Sequence, residues 1–310
     1  MPKFLIIKPS SLGDIIHGLQ VVQSLRDQLP GADITWVVSK PFLGLIEACD
    51  AVDRCIVFDR KGGVFAFFRL LKEIRKERYD VVLDMQGLAR SGLMTFFSKA
   101  RLKLGRLDAR EGAGVACHMR APLPAAGRDS HAVDILTAFL PLIGLEAVSS
   151  QNLTFSKKTP WKAPWGDKKA LILFPNSRRE EKEWPYFKEL VERLLEEGFL
   201  APIAWAGQEP LPVLEHWPKD RFFDLIGKTS LAELPDVIAS AKLVVSNDSG
   251  PMHLSAAQGV PVLALFGPTP PERYGPYPLT APNHSVLQAD SGDLSKLSVE
   301  MVADKIVELF

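Results

Sequence analysis

Short apolar runs alternate along the chain with longer stretches in which apolar residues recur at helical spacing. In the first half the runs are residues 4–8, 34–38, 54–58 and 81–85, each of strand length. Between them, residues 12–29 and 64–78 carry apolar side chains at helical spacing with Lys and Arg on the other face, and a third helix is predicted over 131–142. Strand and helix in alternation predict βα units that feed a parallel sheet. The second half restarts the rhythm. Strands are predicted at 170–174, 201–206, 223–225, 243–246 and 262–266, and helices at 185–197, 231–241 and 251–258. Ser230 and Glu233 make an S-x-x-E capping box at one helix start. Residues 298–309 form a last amphipathic stretch that can pack back on the first half.

Between the two series, residues 156–166 combine two prolines, three lysines and a glycine, the composition of a linker. At 310 residues the chain exceeds what one hydrophobic core usually organises. The predicted organisation is therefore a Rossmann-like domain over 1–155, a linker over 156–167 and a second Rossmann-like domain over 168–310.

Charge and cysteines narrow the function classes. Basic and acidic side chains balance at 37 each, whereas a nucleic-acid binder leans basic. Cys49, Cys55 and Cys117 form no C-x-x-C pair and leave an odd thiol, which fits a reducing compartment and neither a disulfide framework nor a zinc knuckle. The apolar run at 4–7 is too short for a signal peptide or a membrane span, so the expected location is the cytoplasm.

Candidate chemistry gathers where strands run into helices, the edge at which open α/β sheets hold ligands. The first strand ends in Lys8-Pro9-Ser10-Ser11-Leu12-Gly13-Asp14, where Gly13 allows close approach to the backbone and Asp14 can either cap the helix or act as a base. This turn is not G-x-G-x-x-G, which counts against a nicotinamide-dependent oxidoreductase. In the second half, Ser246-Asn247-Asp248-Ser249-Gly250-Pro251-Met252-His253 carries a strand into a helix, and the N–H groups from about Ser249 to His253 offer a phosphate cradle. Asp248 at its lip can accept hydrogen bonds from sugar hydroxyls. A capped structural helix is the plainer alternative.

The polar loop 175–185 brings Lys182 as the candidate to neutralise a leaving phosphate, and Glu209, after another strand, can bind ribose hydroxyls. As a charge run alone, the 175–185 loop would more often be a solvated loop. Arg60, Lys61, Arg69, Lys72, Arg75, Lys76 and Arg78 flank Phe65, Phe67 and Phe68, a mixture that suits an anionic membrane surface or an ordinary solvated helix face. Arg101, Lys103, Arg106 and Arg110 can meet carboxylates or phosphates of an acceptor. Histidines and acids show no metal-ligand spacing and no G-x-S-x-G elbow occurs, so neither metal hydrolysis nor serine chemistry is indicated; no metal is expected.

Four ordered motifs resemble glycosyltransferase family 9, the heptosyltransferases of the lipopolysaccharide inner core. They are K-P-S-S-L-G-D-I-I-H, L-D-M-Q-G-L-A-R-S-G, K-E-W-P, and the long block V-V-S-N-D-S-G-P-M-H through L-A-L-F-G-P-T. The resemblance covers nearly the whole chain. It implies the α/β GT-B fold, two Rossmann-like doubly wound domains facing across a cleft, with acceptor on the first and ADP-sugar on the second. It also implies inversion at the anomeric carbon without metal or cofactor, ADP-heptose being a substrate. Asp14 and Lys182 would be catalytic. Asn176, Ser177, Lys182, Glu209 and Thr229 would bind the donor together with Asp248, Ser249, Gly250, Pro251, Met252 and His253. Ser11, Gly13, Arg60, Lys61, Gln86 and Arg110 would bind the acceptor. The first two motifs look closer to enzymes that place the first heptose on Kdo of Kdo-lipid A than to those acting on a heptosylated core. A lipid acceptor implies peripheral contact with the cytoplasmic face of the inner membrane and no nucleic-acid partner. A noncatalytic nucleotide-sugar-binding module is the alternative of a different class, and Asp14 speaks against it.

Overall fold

The structure, a computed structural model, describes residues 1–150, 152–156 and 161–310. It divides into two compact units, Met1–Lys158 and Thr159–Phe310. Part of the predicted linker, residues 157–160, lies outside the described residues.

In the first unit six parallel strands, β1 (Lys3–Ile7), β2 (Asp33–Ser39), β3 (Arg54–Phe58), β4 (Arg78–Asp84), β5 (Lys99–Arg106) and β6 (Met119–Ala121), lie in the order β3-β2-β1-β4-β5-β6. The central strand β1 is buried on both faces, with Leu5 opposite Thr35 on one side and Val82 on the other. Continuous apolar runs of this kind need helices over both faces of the sheet. The helices are α1 (Leu12–Gln28), α2 (Leu43–Ala48), α3 (Gly63–Ile74), α4 (Ala89–Phe97) and α5 (Ala132–Thr137).

The second unit repeats the plan. Its strands β7 (Ala170–Phe174), β8 (Ile203–Trp205), β9 (Phe222–Asp224), β10 (Ala241–Asn247), β11 (Val262–Phe266) and β12 (His284–Gln288) run parallel in the order β12-β11-β10-β7-β8-β9. Its helices are α6 (Phe187–Glu196), α7 (Leu234–Ala239), α8 (Gly250–Ala257), α9 (Pro271–Tyr274) and α10 (Val299–Leu309). Each unit thus has the doubly wound order 3-2-1-4-5-6, whose topological switch falls between β1 and β4 in one and between β7 and β10 in the other.

The differences from the predicted elements have local causes. The helix predicted over 64–78 stops at Ile74 because Arg78 already pairs with Lys99 in the sheet. The one predicted over 131–142 ends at Thr137, ahead of Pro141, which opens a separate 3-10 turn. The helix predicted from Leu231 begins at Leu234, although the capping contacts are present: the Ser230 N–H and hydroxyl both donate to Glu233 Oε2 at 2.8 Å. The strands β5, β6 and β12 and the helices α2, α4 and α9 were not predicted. The last helix, α10, buries Val302, Ala303 and Ile306 in the core of the second unit with Phe187, Leu190 and Leu194 of α6. Among the described residues, no helix is long and apolar enough to cross a membrane.

Candidate functional site

In the first unit the switch point is built by the turn after β1. Lys8 is 2% exposed, its stem in the core and its Nζ 3.3 Å from Asp14 Oδ1. Trp36 Nε1 donates to the Lys8 carbonyl at 3.0 Å and fixes the strand end. The Ser11 N–H and hydroxyl donate to Asp14 Oδ2 at 3.1 and 2.7 Å, so Asp14 closes the N-terminus of α1. Capping leaves the carboxylate reachable, because its side chain is 44% exposed. Burial pushes the Asp14 carboxyl up, but the Lys8 charge and the Ser11 hydrogen bonds outweigh it and hold the group well below the usual carboxylate range. Lys8 itself is pushed down by burial against the attraction of Asp14.

Across the switch, Asp84 ends β4 and is 1% exposed. Its Oδ1 accepts from the Gln86 and Gly87 N–H groups at 3.0 and 2.9 Å, and its Oδ2 from the Ser91 hydroxyl at 3.0 Å. Gly87 needs its positive φ of 68°, and a Cβ there would press on Ala109 and Arg106 at 3.3 Å. The turn holds Gln86 at the wall of a cavity of about 320 Å³ also lined by Ser10, Arg60, Arg90 and Glu111. Of the residues predicted to bind an acceptor, Arg60 and Gln86 therefore share a cavity, and Ser11 and Gly13 stand at the start of α1. Lys61 and Arg110 are exposed outside that lining. Sequence reasoning passed over Lys8 and Asp84 as site residues.

In the second unit three loops meet at one carboxylate. Asp248, just past β10, holds Lys182 Nζ at 2.6 Å and the Thr269 hydroxyl at 2.7 Å, both on Oδ2. Lys182 comes from the loop after β7 and Thr269 from the loop after β11. Asn247, fully buried, staples the same region: its Nδ2 donates to the Pro175 carbonyl at 2.7 Å and its Oδ1 accepts from the Trp184 N–H at 3.0 Å. Ser249 is the N-cap of α8, and its hydroxyl lies 3.1 Å from that of Ser246. Gly250, Met252 and His253 supply N–H groups in the first turn of α8, while Pro251 supplies none. The Met252 and His253 side chains are buried, so these two residues offer only their backbone at this edge.

The remaining predicted donor residues continue along the same edge. Asn176 Oδ1 accepts from the Glu209 N–H at 3.3 Å, which ties the end of β7 to the end of β8. The Gly227 N–H donates to the Gly207 carbonyl at 3.0 Å and ties in the loop after β9, which carries Thr229. Ser177 is held through its N–H by Glu183 Oε1 at 2.6 Å. Along the carboxyl edge, in the spatial order β9-β8-β7-β10-β11, stand Thr229, Glu209, Lys182, Asp248 with the α8 N-terminus, and Thr269. At about 4.8 Å between neighbouring strands, the step from β9 to β10 spans about 14 Å.

Residues 67–303 match glycosyltransferase family 9 (heptosyltransferase). The chain is 28% identical over 298 residues to the lipopolysaccharide core heptosyltransferase OpsX of Haemophilus influenzae, covering 89% of this chain and 82% of that one. It is 31% identical over 311 residues to lipopolysaccharide heptosyltransferase 1 of Pseudomonas aeruginosa, covering 89% and 81%. Among solved structures, E. coli heptosyltransferase WaaC with ADP superposes with a TM-score of 0.81 at 25% identity, over 99% of this chain and all of that one. The E. coli ADP-heptose lps heptosyltransferase II shares the fold at a TM-score of 0.76 and 21% identity, over 99% and 98%. Two six-stranded parallel sheets with polar switch points, matched over their whole length by transferases of the GT-B fold, place this chain in glycosyltransferase family 9, the heptosyltransferases.

Proposed function

We propose that the protein transfers heptose from ADP-heptose to a Kdo residue of the lipopolysaccharide inner core, with inversion and without a metal, at the cytoplasmic face of the inner membrane. The observation that carries the donor assignment is the order of groups along the second sheet's edge. Thr229, Glu209 and the α8 N-terminus with Lys182 follow one another as base, ribose and diphosphate do in an ADP-sugar. In that pose Thr229 main-chain groups meet adenine and Glu209 takes the ribose hydroxyls. The α8 amides hold phosphate oxygens, and Asp248 accepts from the sugar.

The reaction then follows from charge. Asp14, ionised across the neutral range, takes the proton of the acceptor hydroxyl as that oxygen forms its bond to the anomeric carbon. A carboxylate held so low is a weak base, so it accepts the proton only as bond formation acidifies the hydroxyl. The bond from the anomeric carbon to the phosphate oxygen breaks on the opposite side, and its electron pair leaves with ADP. Lys182 and the α8 N–H groups stabilise the charge that develops there. Asp14 also favours a transferase over a nucleotide-sugar-binding module, which has no use for a reachable carboxylate on the other unit.

The test is incubation of the purified protein with ADP-heptose and Kdo-lipid A in EDTA, with the product resolved by mass spectrometry and its anomeric configuration by NMR. Transfer only to a core that already bears heptose would move the assignment to a heptosyltransferase II or III activity. Calorimetric preference for UDP or GDP over ADP would remove the heptosyl reading.

A further inference from the structure

We propose that the exposed face formed by α3 and α4 docks on an anionic lipid bilayer and holds the mouth of the first unit's cavity against it. This deepens the reading of a lipid acceptor and rests on it. The fold accounts for one side of α3: Leu70, Leu71 and Ile74 are buried, and Phe67 packs edge-on against Phe58 at 6.0 Å. Phe65 and Phe68 lie on the opposite side, 85% and 62% exposed, with Val64 beside them. On α4, Met94 and Thr95 are buried, while Leu93, Phe96 and Phe97 face solvent. Arg75 at the end of α3 donates to the Phe97 carbonyl at 3.0 Å, so the two exposed apolar sets stand on neighbouring helices. Scattered exposed apolar residues are ordinary, but six large ones on two neighbouring helices are a concentration that marks a contact.

Charge identifies the occupant. Around the α3 phenylalanines, Lys61, Arg69, Lys72, Arg75 and Lys76 meet a single acid between residues 60 and 76, Glu73, which Lys76 pairs at 2.5 Å. Residues 89–103 add Arg90, Lys99, Arg101 and Lys103 and contain no acid. This concentration stands in a chain whose formal charge is zero. A second copy of the chain would set these cations against themselves. Apolar tips ringed by cations instead match a bilayer with anionic headgroups, which takes the phenylalanines below its surface and the cations at it. The same elements shape the acceptor cavity, because Arg60 just ahead of α3 and Arg90 and Met94 of α4 line it. Docking by this face would bring the headgroup layer to that cavity.

Co-sedimentation of the full chain with phosphatidylglycerol–phosphatidylethanolamine vesicles and with phosphatidylcholine vesicles, without nucleotide sugar, tests the surface. Partition onto the anionic vesicles should exceed that onto the neutral ones by about tenfold and fall with salt. The triple substitution Phe65→Ser, Phe68→Ser and Phe96→Ser should lower it about tenfold or more at unchanged circular dichroism. Arg69→Gln with Lys72→Gln should erase part of the anionic preference, and Leu200→Ser, exposed in the second unit, should change nothing. Equal partition on both vesicles, or wild-type binding by both multiple variants, would overturn the proposal. So would a dimer in sedimentation equilibrium that the serine variant abolishes. Wild type that glycosylates an acyl-free acceptor yet ignores vesicles loses the surface and keeps the reaction. A protein that docks but does not transfer sugar loses the reaction and keeps the surface.

Discussion

Lys182 Nζ and Asp248 Oδ2 lie 2.6 Å apart, and the Thr269 hydroxyl reaches the same oxygen at 2.7 Å. Both partners of the pair are largely buried. A lysine so engaged can serve a leaving phosphate only by sharing itself between the carboxylate and the ligand or by leaving the carboxylate. Lys182→Ala should therefore lower kcat/KM for ADP-heptose by roughly 10²–10³-fold through the lost stabilisation of developing charge. It should also cost about 1–3 kcal/mol of stability, because Asp248 keeps its burial and loses its cation. Adding Asp248→Asn should recover stability and no activity, as read by thermal melting and steady-state rates. Unchanged kinetics in Lys182→Ala would take Lys182 out of the donor site.

Asp14 and Lys8 give a second separable pair. Asp14→Asn should reduce turnover by roughly 10²–10⁴-fold while leaving ADP affinity near that of wild type, since a base contributes to transfer and not to donor binding. The linkage has a definite sign. The folded value of Asp14 is depressed, so its stabilising effect is full above the ordinary aspartate value near about 4 and is lost as pH falls toward the folded value. Lys8→Met removes the largest influence that lowers Asp14, and the carboxyl should return toward the ordinary range. NMR titration of the Asp14 carboxyl carbon would read this directly; an unmoved titration would mean that the Ser11 hydrogen bonds alone set it.

The parts of this site that could be read from the chain are those whose residue type already states its chemistry. Asp248, Ser249 and Gly250 mark a strand-to-helix junction suited to an anion because the runs on either side locate the junction. Lys8 was illegible for the opposite reason, since a lysine after four apolar residues looks like the solvated end of a strand. Its placement depends on residues that the local pattern does not reveal, Trp36 bonding its carbonyl and Asp14 meeting its Nζ. Asp84 likewise looks like a strand end until Gly87 and Ser91 fold back on it. Thr269 belonged to a recognised G-P-T loop, but its reach to Asp248 depends on β11 lying beside β10. The strand β5 is hard to read because Lys99-Ala100-Arg101-Leu102-Lys103-Leu104, though it alternates with period two, carries three basic residues that resemble a solvated, anion-binding segment.

Asp84 should show the reverse pH behaviour to Asp14. Burial is the largest influence and pushes its carboxyl up, against hydrogen bonds from Gly87, Ser91 and Gln86. A carboxyl raised in the folded state loses stability for the protein as pH rises from the unfolded value through the folded one. The stability of wild type relative to Asp84→Asn should therefore decline over that rise, whereas wild type relative to Asp14→Asn should gain as pH rises toward neutrality. Denaturant melts of the three proteins across acidic to neutral pH measure both slopes, and slopes of equal sign would contradict the assignment.

Gly207 offers a test of the ribose end of the proposed donor site that touches no charged group. A Cβ built on it would lie 2.1 Å from Asn176 Oδ1 and 3.2 Å from its Cγ. In Gly207→Ala the Asn176 side chain must swing away, and the Glu209 N–H loses its acceptor. The displaced amide is the far end of a short side chain, so the stability cost should stay near about 1 kcal/mol. The larger effect should fall on Glu209, whose position after β8 depends on that bond. KM for the ADP-sugar should rise several-fold with kcat nearly kept, the pattern of an interaction equal in ground and transition states. Asn176→Ala should reproduce the KM effect without the clash. If Gly207→Ala raises KM and Asn176→Ala does not, Asn176 is not the link between β7 and the ribose site, and Gly207 acts by its own close approach to the ligand.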